Sequence, residues 1–278
     1  MRFGIFQHVV STVFGVGLWL CVSTGPLWGQ AVDAVPRVRL EASVLWTLGI
    51  QAPDFIRDYQ GVLGGAASSF GVPIGARASV NQYLTDEISV GVSGGFFRAT
   101  IRENYTYDPK PPTTPLGPAQ NVTQNIEVST IPVLLNLDLF PARRQFTGYL
   151  GVGIGLVFSN VFWSEEIQTS RLLGARRSGT RYNGSLIAPT AKLRAGVSLG
   201  FDGSAMARSA TGIRIEVGYT FAPLQDRFFA GQFDSFAVPP PQRLGQEYMI
   251  DAGGVSIEIG ISLLLRQRLS STAPQSRF

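Results

Sequence analysis

The chain has 278 residues, with 23 basic against 19 acidic side chains, and this mild excess forms no basic stripe, recognition-helix pattern or zinc spacing that would mark a nucleic-acid binder. It carries one Cys, Cys21, and one His, His8, both near the start, so removal of that segment would leave neither a thiol nucleophile nor the usual general base and metal ligand. A length of this order suits one all-β barrel domain.

Residues 1–31 read as an export signal. Arg2 gives a thin positive start, an apolar run from Val9 to Val22 follows, and Gly29-Gln30-Ala31 puts small residues at the cleavage positions. A transmembrane helix fits less well, because the run is short, holds Gly15 and Gly17, and stops at Gly25-Pro26. Leu20 before Cys21 argues against a lipoprotein. Cleavage after Ala31 leaves a mature chain without His or Cys, hence no disulfide, although export would permit one.

Period-two alternation then recurs in eight stretches, the mark of strands with two unlike faces. The first, 37–49, sets Val38, Leu40, Ala42, Val44 and Trp46 against Arg37, Arg39, Glu41 and Ser43. The second, 70–82, sets Ile74, Ala76, Ala78 and Val80 against Gly75, Arg77, Ser79 and Asn81. In the third, 87–100, Ile88, Val90, Val92 and Phe96 oppose Ser89, Gly91, Ser93 and Gly95. The fourth, 126–140, alternates Val133, Leu135, Leu137 and Leu139 with Asn136 and Asp138; the fifth, 147–160, alternates Leu150, Val152, Ile154, Leu156 and Phe158 with Gly151, Gly153 and Gly155. The sixth, 187–201, sets Leu193, Ala195 and Val197 against Lys192, Arg194 and Gly196; the seventh, 211–221, sets Ile213, Ile215, Val217 and Tyr219 against Arg214 and Glu216. The eighth, 252–267, sets Ile257, Ile259, Ile261, Leu263 and Leu265 against Ser256, Glu258, Gly260 and Ser262.

Connections alternate as well. Short links fall near 83–86, 141–146 and 202–210, long ones near 50–69, 101–125, 161–186 and 223–251, the asymmetry of barrels with short periplasmic turns and long outer loops. The polar face consists mainly of Gly and Ser with a few charges, which suits a narrow interior, while the Leu, Ile and Val face is long enough to cross hydrocarbon. Lys192, Arg194 and Arg214 at mid-depth against lipid would each cost about 2–4 kcal/mol, together comparable with a domain's whole stability. They are therefore expected to point inward, with the apolar face outward.

Aromatic residues are expected to form two interfacial girdles: Trp46, Phe96, Phe158, Phe162, Trp163 and Phe221 at the loop ends, and Tyr83, Phe140, Phe146 and Phe201 at the turn ends. Pro73, Pro132 and Pro189 fall inside predicted strands, so each implies a bulge or a strand end. Arg98 has the lipid parity unless Gly94-Gly95 bulges; otherwise it snorkels to the interface.

With these residues in hand the chain resembles the small outer-membrane β-barrel superfamily, the eight-stranded OmpA-like and porin-like barrel domains of Gram-negative bacteria. The resemblance rests on IPVLLNLDLFP followed by TGYLGVGIGLVFS, and on a final strand in which Glu258, Gly260, Leu263 and Leu265 match the pattern read by the barrel assembly machinery. It covers roughly 37–267 and implies a closed eight-stranded antiparallel up-and-down transmembrane barrel over 32–267, in the outer membrane, with lipid and the assembly machinery as partners. Residues 268–278 form a tail beyond the strand, whereas the assembly pattern normally closes the chain. No room is left for the peptidoglycan-binding domain of larger OmpA-type proteins.

The resemblance also implies that enzymes of this fold act through a His, which the mature chain lacks, so a non-enzymatic protein without cofactor or metal is expected. A carboxylate pair, Glu216 and Glu258, is the only His-independent catalytic candidate. Seven inward charges, Glu41, Arg77, Lys192, Arg194, Arg214, Glu216 and Glu258, count four positive and three negative. Near-neutrality predicts mutual pairing that plugs the lumen; a gated ion channel and a soluble periplasmic ligand-binding barrel are the alternatives. Asp226, Asp234, Glu247 and Asp251 are too dispersed for calcium. Phe228, Phe229, Phe233 and Phe236 in the last long loop make a candidate surface contact, and Arg171, Arg176, Arg177 and Arg181 a candidate phosphate contact.

Overall fold

A computed structural model describes residues 37–63, 67, 69–107, 120–141, 146–169, 176–201, 209–226 and 247–266; the expected signal, the tail 268–278 and the four loop phenylalanines lie outside them. The strands are β1 (Arg37–Leu48), β2 (Ile74–Tyr83), β3 (Ile88–Tyr107), β4 (Gln120–Leu139), β5 (Phe146–Thr169), β6 (Arg176–Phe201), β7 (Ser209–Phe221), β8 (Pro223–Asp226), β9 (Tyr248–Asp251) and β10 (Gly254–Arg266), with one helix, α1 (Pro53–Leu63). Eight strands close a barrel in the order β1-β10-β7-β6-β5-β4-β3-β2, and β8 and β9 form a separate two-stranded sheet. Every neighbouring pair in the ring is antiparallel, and β1 joins β10 from Arg37↔Arg266 to Leu48↔Val255, so no sheet edge is left in the ring.

Around the lower barrel the expected sidedness holds. Leu135, Ile154, Leu193 and Ile261 project outward and are 63%, 65%, 64% and 68% exposed, whereas Asp138, Glu216 and Lys192 on the opposite parity are 0%, 2% and 4% exposed. Apolar outside and charged inside is a transmembrane barrel, and it rules out the soluble ligand-binding barrel, which needs the reverse.

Four strands run well beyond their expected ends. β3 and β4 have 20 residues each, β5 has 24 and β6 has 26, about twice what a tilted strand needs to cross hydrocarbon. Much of what looked like loop at 101–125 and 161–186 is therefore strand. The β4–β5 register runs without slip from Gln120↔Thr169 to Leu139↔Leu150, yet the chemistry of the two faces exchanges midway. Below, Val133, Leu135 and Leu137 point outward; above, Val122, Ile126 and Val128 are buried inside. Phe97, Ala99 and Ile101 on β3 and Val157, Val161 and Trp163 on β5 do the same. Past the bilayer the outer medium is water, so the apolar side chains turn to the interior, as in any soluble sheet.

That upper interior is filled by α1 and the β8–β9 hairpin. Pro53 and Asp54 open the helix in the way the first turn favours, and Phe55 and Ile56 reach the core shared with Phe97, Ile126, Trp163, Leu224 and Ile250. Phe55 stacks on Phe70 at 6.2 Å and meets Tyr248 edge-on at 6.1 Å. Asp251 fastens the hairpin: its Oδ1 accepts the amides of Ala222 and Gly253 at 2.9 and 3.0 Å, while Gln51 and Asp251 exchange backbone hydrogen bonds of 3.1 and 2.8 Å.

Each proline has a local reason. Pro73 precedes β2, and its carbonyl accepts from the Thr47 amide at 3.1 Å. Pro132 lies where the β3–β4 ladder is interrupted, between Gly94↔Val133 and Phe97↔Thr130, while its pairing with Val157 of β5 is intact. Pro189 stands above Ala191↔Phe221, the last β6–β7 pair. No register shift occurs at Gly94-Gly95, so Arg98 keeps its outward parity, half exposed and 3.2 Å from Glu127. Some girdle positions need correction: Trp163, Tyr83 and Phe140 face inward rather than toward lipid. The side chains of Phe146 and Phe201 lie outside the described residues.

Ile154→Arg on the outer face should cost about 2–4 kcal/mol against unfolding from vesicles, while Asn125→Arg, on the same face above the bilayer, should change stability by less than about 0.5 kcal/mol. Urea titration in the same lipid reads both. Phe55→Ala should cost about 3–5 kcal/mol of the local packing, seen as faster amide exchange in α1 with little change in β7 and β10.

Candidate functional site

The lower lumen gathers charge because six strands, β1, β2, β4, β6, β7 and β10, deliver charged side chains to it. All seven expected residues meet there. Two more belong with them, Arg39 and Asp138, giving five cations and four anions. Both had the inward parity in the sequence but sat too near the turn end to be counted at mid-depth.

Glu216 is the hub. Its carboxylate lies 2.9 Å from Arg77, 2.8 Å from Lys192 and 2.7 Å from Arg214, with Arg194 at 3.9 Å, and it accepts the Tyr149 hydroxyl at 2.7 Å. The β7–β10 register sets Glu258 directly opposite Glu216, a like-charge pair that would repel if left alone. Arg77 and Lys192 bridge the two: Arg77 is 2.9 Å from Glu258, and Lys192 pairs with it as well. Ser43 donates to Glu258 at 3.2 Å.

Glu41 forms the second node, paired with Arg39 at 2.7 Å and with Arg214, and accepting from Ser79 at 2.7 Å and Asn81 at 3.3 Å. Asp138 forms the third, 2.7 Å from Arg194 and 3.5 Å from Arg39. Near it Tyr83, Phe140 and Tyr149 form a row of tilted rings, with centroids 5.5 and 5.6 Å apart. The Arg39 guanidinium lies 5.3 and 4.9 Å from the Tyr83 and Phe140 rings, and Arg214 lies 4.0 Å from the Tyr149 ring. These cation–π contacts draw the aromatic row into the same network. Tyr149 went unnoticed in the sequence because its position beside Leu150 and Gly151 carries no charge.

The small residues of the polar face make room for these cations. Arg77 has Ser43 and Gly95 as cross-strand neighbours, Arg194 has Gly151 and Gly218, and Arg214 has Ser198 and Gly260. A Cβ at Gly151 would stand 2.2 Å from Asp138 Oδ1 and 2.6 Å from Arg194 Nε, and one at Gly218 would stand 2.8 Å from Lys192 Cε. What space remains among Glu41, Ser43, Arg77, Arg214, Glu216 and Glu258 is a cavity of about 10 Å³, room for one water. Glu216 and Glu258, the candidate carboxylate pair, are each held by at least two cations and a hydroxyl.

Other expected sites are placed as follows. Gly260, Leu263 and Leu265 lie with Glu258 on β10, which ends at Arg266; Glu258 and Gly260 share the lumen face, and Leu263 and Leu265 share the outer one. Arg176 and Arg177 belong to β6, though their side chains, those of Arg171 and Arg181, and the cluster Phe228, Phe229, Phe233 and Phe236 lie outside the described residues. Among the described residues no group of acidic, His or Cys side chains could hold a metal. Above the bilayer Tyr182 donates to Asp226, and burial followed by that carboxylate pushes its phenol well above the ordinary value.

Glu216→Gln should destabilise the barrel by about 3–5 kcal/mol, because it strips a buried carboxylate from cations that remain. Lys192→Met together with Glu258→Gln should cost at least about 1 kcal/mol less than the two single changes summed. Urea unfolding from vesicles measures both, and strict additivity would show that the pair contributes no coupling.

No family model matches the chain, and no curated protein matches it. Among solved structures it aligns with the outer membrane protein OprG of Pseudomonas aeruginosa, at 10% identity and a TM-score of 0.38 over 84% of this chain and 98% of that one. Neisserial surface protein A aligns at 8% identity and a TM-score of 0.32, over 84% and 97% of the two chains. Ail of Yersinia pestis, solved with the heparin analogue sucrose octasulfate, aligns at 9% identity and a TM-score of 0.34, over 84% and 100%. Such distant likenesses concern strand layout alone. By its own pairing and its outward apolar belt, the chain has the architecture of the small outer-membrane barrels: eight antiparallel strands, closed up and down around a charged lumen.

Proposed function

We propose that the chain is a non-enzymatic integral protein of the bacterial outer membrane, with a structural or surface-interaction role and a lumen plugged by its own paired charges. The observation that carries this reading is the shared coordination of four buried carboxylates by five cations around a cavity of one-water size. An eight-stranded barrel is just wide enough to be filled by its side chains, and the upper lumen is packed by α1 and the β8–β9 hairpin. With every acid of the described network paired and a cavity of one-water size beside it, that network presents neither a general base nor a nucleophile. Export through the signal and insertion through the final strand, Glu258 to Leu265, belong to the same reading.

A small channel is the second reading, favoured by one feature. Glu216 and Glu258 each hold more than one cation, so partners can be exchanged without stranding a charge. Two measurements separate the readings. The purified chain should migrate on a detergent gel differently before and after boiling, as closed barrels do. In planar bilayers it should give no steady conductance, and Tyr149→Ala or Glu216→Ala should open measurable current by removing plug atoms. Steady native conductance that Arg214→Ala alters would overturn the plug in favour of the channel.

A further inference from the structure

Five rows of side chains cross the outer face of β3 to β6 near its midpoint. The last apolar row with this parity holds Ile131, which its neighbours cover, with the half-buried Phe158 and the exposed Ile187. Immediately above it comes Arg98–Ser129–Asn160–Ser185, and then Thr100–Glu127–Phe162–Asn183. Higher still, Arg102, Asn125 and Ser164 align, followed by Asn104, Thr123 and Glu166. Phe162 is the one apolar side chain in these upper rows, and the change from hydrocarbon-facing to polar takes a single step of two residues.

We infer that this face is a seat for the phosphorylated-sugar headgroup of a glycolipid in the surrounding leaflet. The inference rests on the outer-membrane reading above. Acyl chains lying on the apolar belt directly below Ile131 and Phe158 necessarily hold their headgroups at the height of the Arg98 and Thr100 rows, so the seat continues the lipid interface. Four strands about 4.8 Å apart make it roughly 14 Å wide, and successive rows are about 7 Å apart, the footprint of one or two sugar rings.

The chemistry suits that occupant better than a simple phospholipid. Arg98 is half exposed and holds Glu127 at 3.2 Å, which leaves guanidinium donors for a phosphate. Ser129 donates to Glu127 at 3.0 Å, and Asn160 donates to Asn183 at 3.3 Å, to the Gly184 carbonyl at 3.2 Å and to Ser185 at 3.3 Å. These cross-links fix the polar groups before anything binds, so little side-chain freedom is lost on contact. Hydroxyl groups of a sugar match amide and carboxylate side chains in rows, and its C–H face matches Phe162, set between Glu127 and Asn183. A lone phosphate would use Arg98 and leave the rest unmatched.

The test offers the full-length chain in detergent an equal mixture of lipopolysaccharide and phosphatidylglycerol, then quantifies each lipid retained per barrel. The combined variant Arg98→Ala, Asn160→Ala and Asn183→Ala should retain at least about fivefold less lipopolysaccharide, the fall expected for roughly one lost net hydrogen bond, with phosphatidylglycerol unchanged. Thr106→Ala with Asn121→Ala, higher on the same face, should retain native amounts. Unchanged retention in the first variant, equal loss of both lipids, or equal loss in the second variant overturns the seat. Heat-modifiable migration of the same samples separates the two ideas: a native shift with unchanged lipid sinks the seat alone, whereas a chain that never shifts sinks the membrane reading and the seat with it.

Discussion

The medium outside the barrel changes with height, while the alternation of side chains along a strand does not. A residue's parity fixes whether it points in or out, so a strand that stays in register while leaving the bilayer must exchange the chemistry of its two faces. β4 does this between Val128 and Ile131, and β3, β5 and β6 do it at matching heights. The rest of the structure follows. Below the exchange the inside is polar and must neutralise itself; above it the inside is apolar and must be filled by protein, which α1 and the β8–β9 hairpin supply.

Self-neutralisation below depends on geometry that no single strand contains. Glu216 and Glu258 face each other across one ladder, and the two cations that bridge them, Arg77 and Lys192, come from β2 and β6 on either side of that ladder. Glycines opposite the long cations give them room to cross. The stability of such a network comes less from any one pair than from the absence of a stranded charge, which is why removing an acid and a base together is expected to cost less than the two separate removals summed.

Much of this was legible in the sequence, and the failures have a common cause. Eight strands, their order, their sidedness and the seven central charges follow from period-two alternation and the cost of a cation in lipid. The upper halves of β3 to β6 are not legible in the same way, because an apolar phase that flips without a bulge looks, residue by residue, like a strand ending and a loop beginning. The helix left a trace: Pro53-Asp54 opens it, and Phe55, Ile56, Tyr59, Val62 and Leu63 recur at helical spacing, hidden by the expectation of a loop. Position along the strand alone predicts lipid contact for Phe140 and Tyr83, whereas their inward parity puts them beside Arg39.

The unequal strand lengths also give the molecule a front and a back. β3 to β6 rise as a wall, each 20 residues or more, while β1, β2, β7 and β10 have 10 to 13. The wall carries about 30 Å of strand past the Arg98 row on β3, on one side only. Among the described residues the long strands therefore stand on one side of the ring, so the rotation of the barrel in the membrane plane decides which neighbours meet the tall hydrophilic wall.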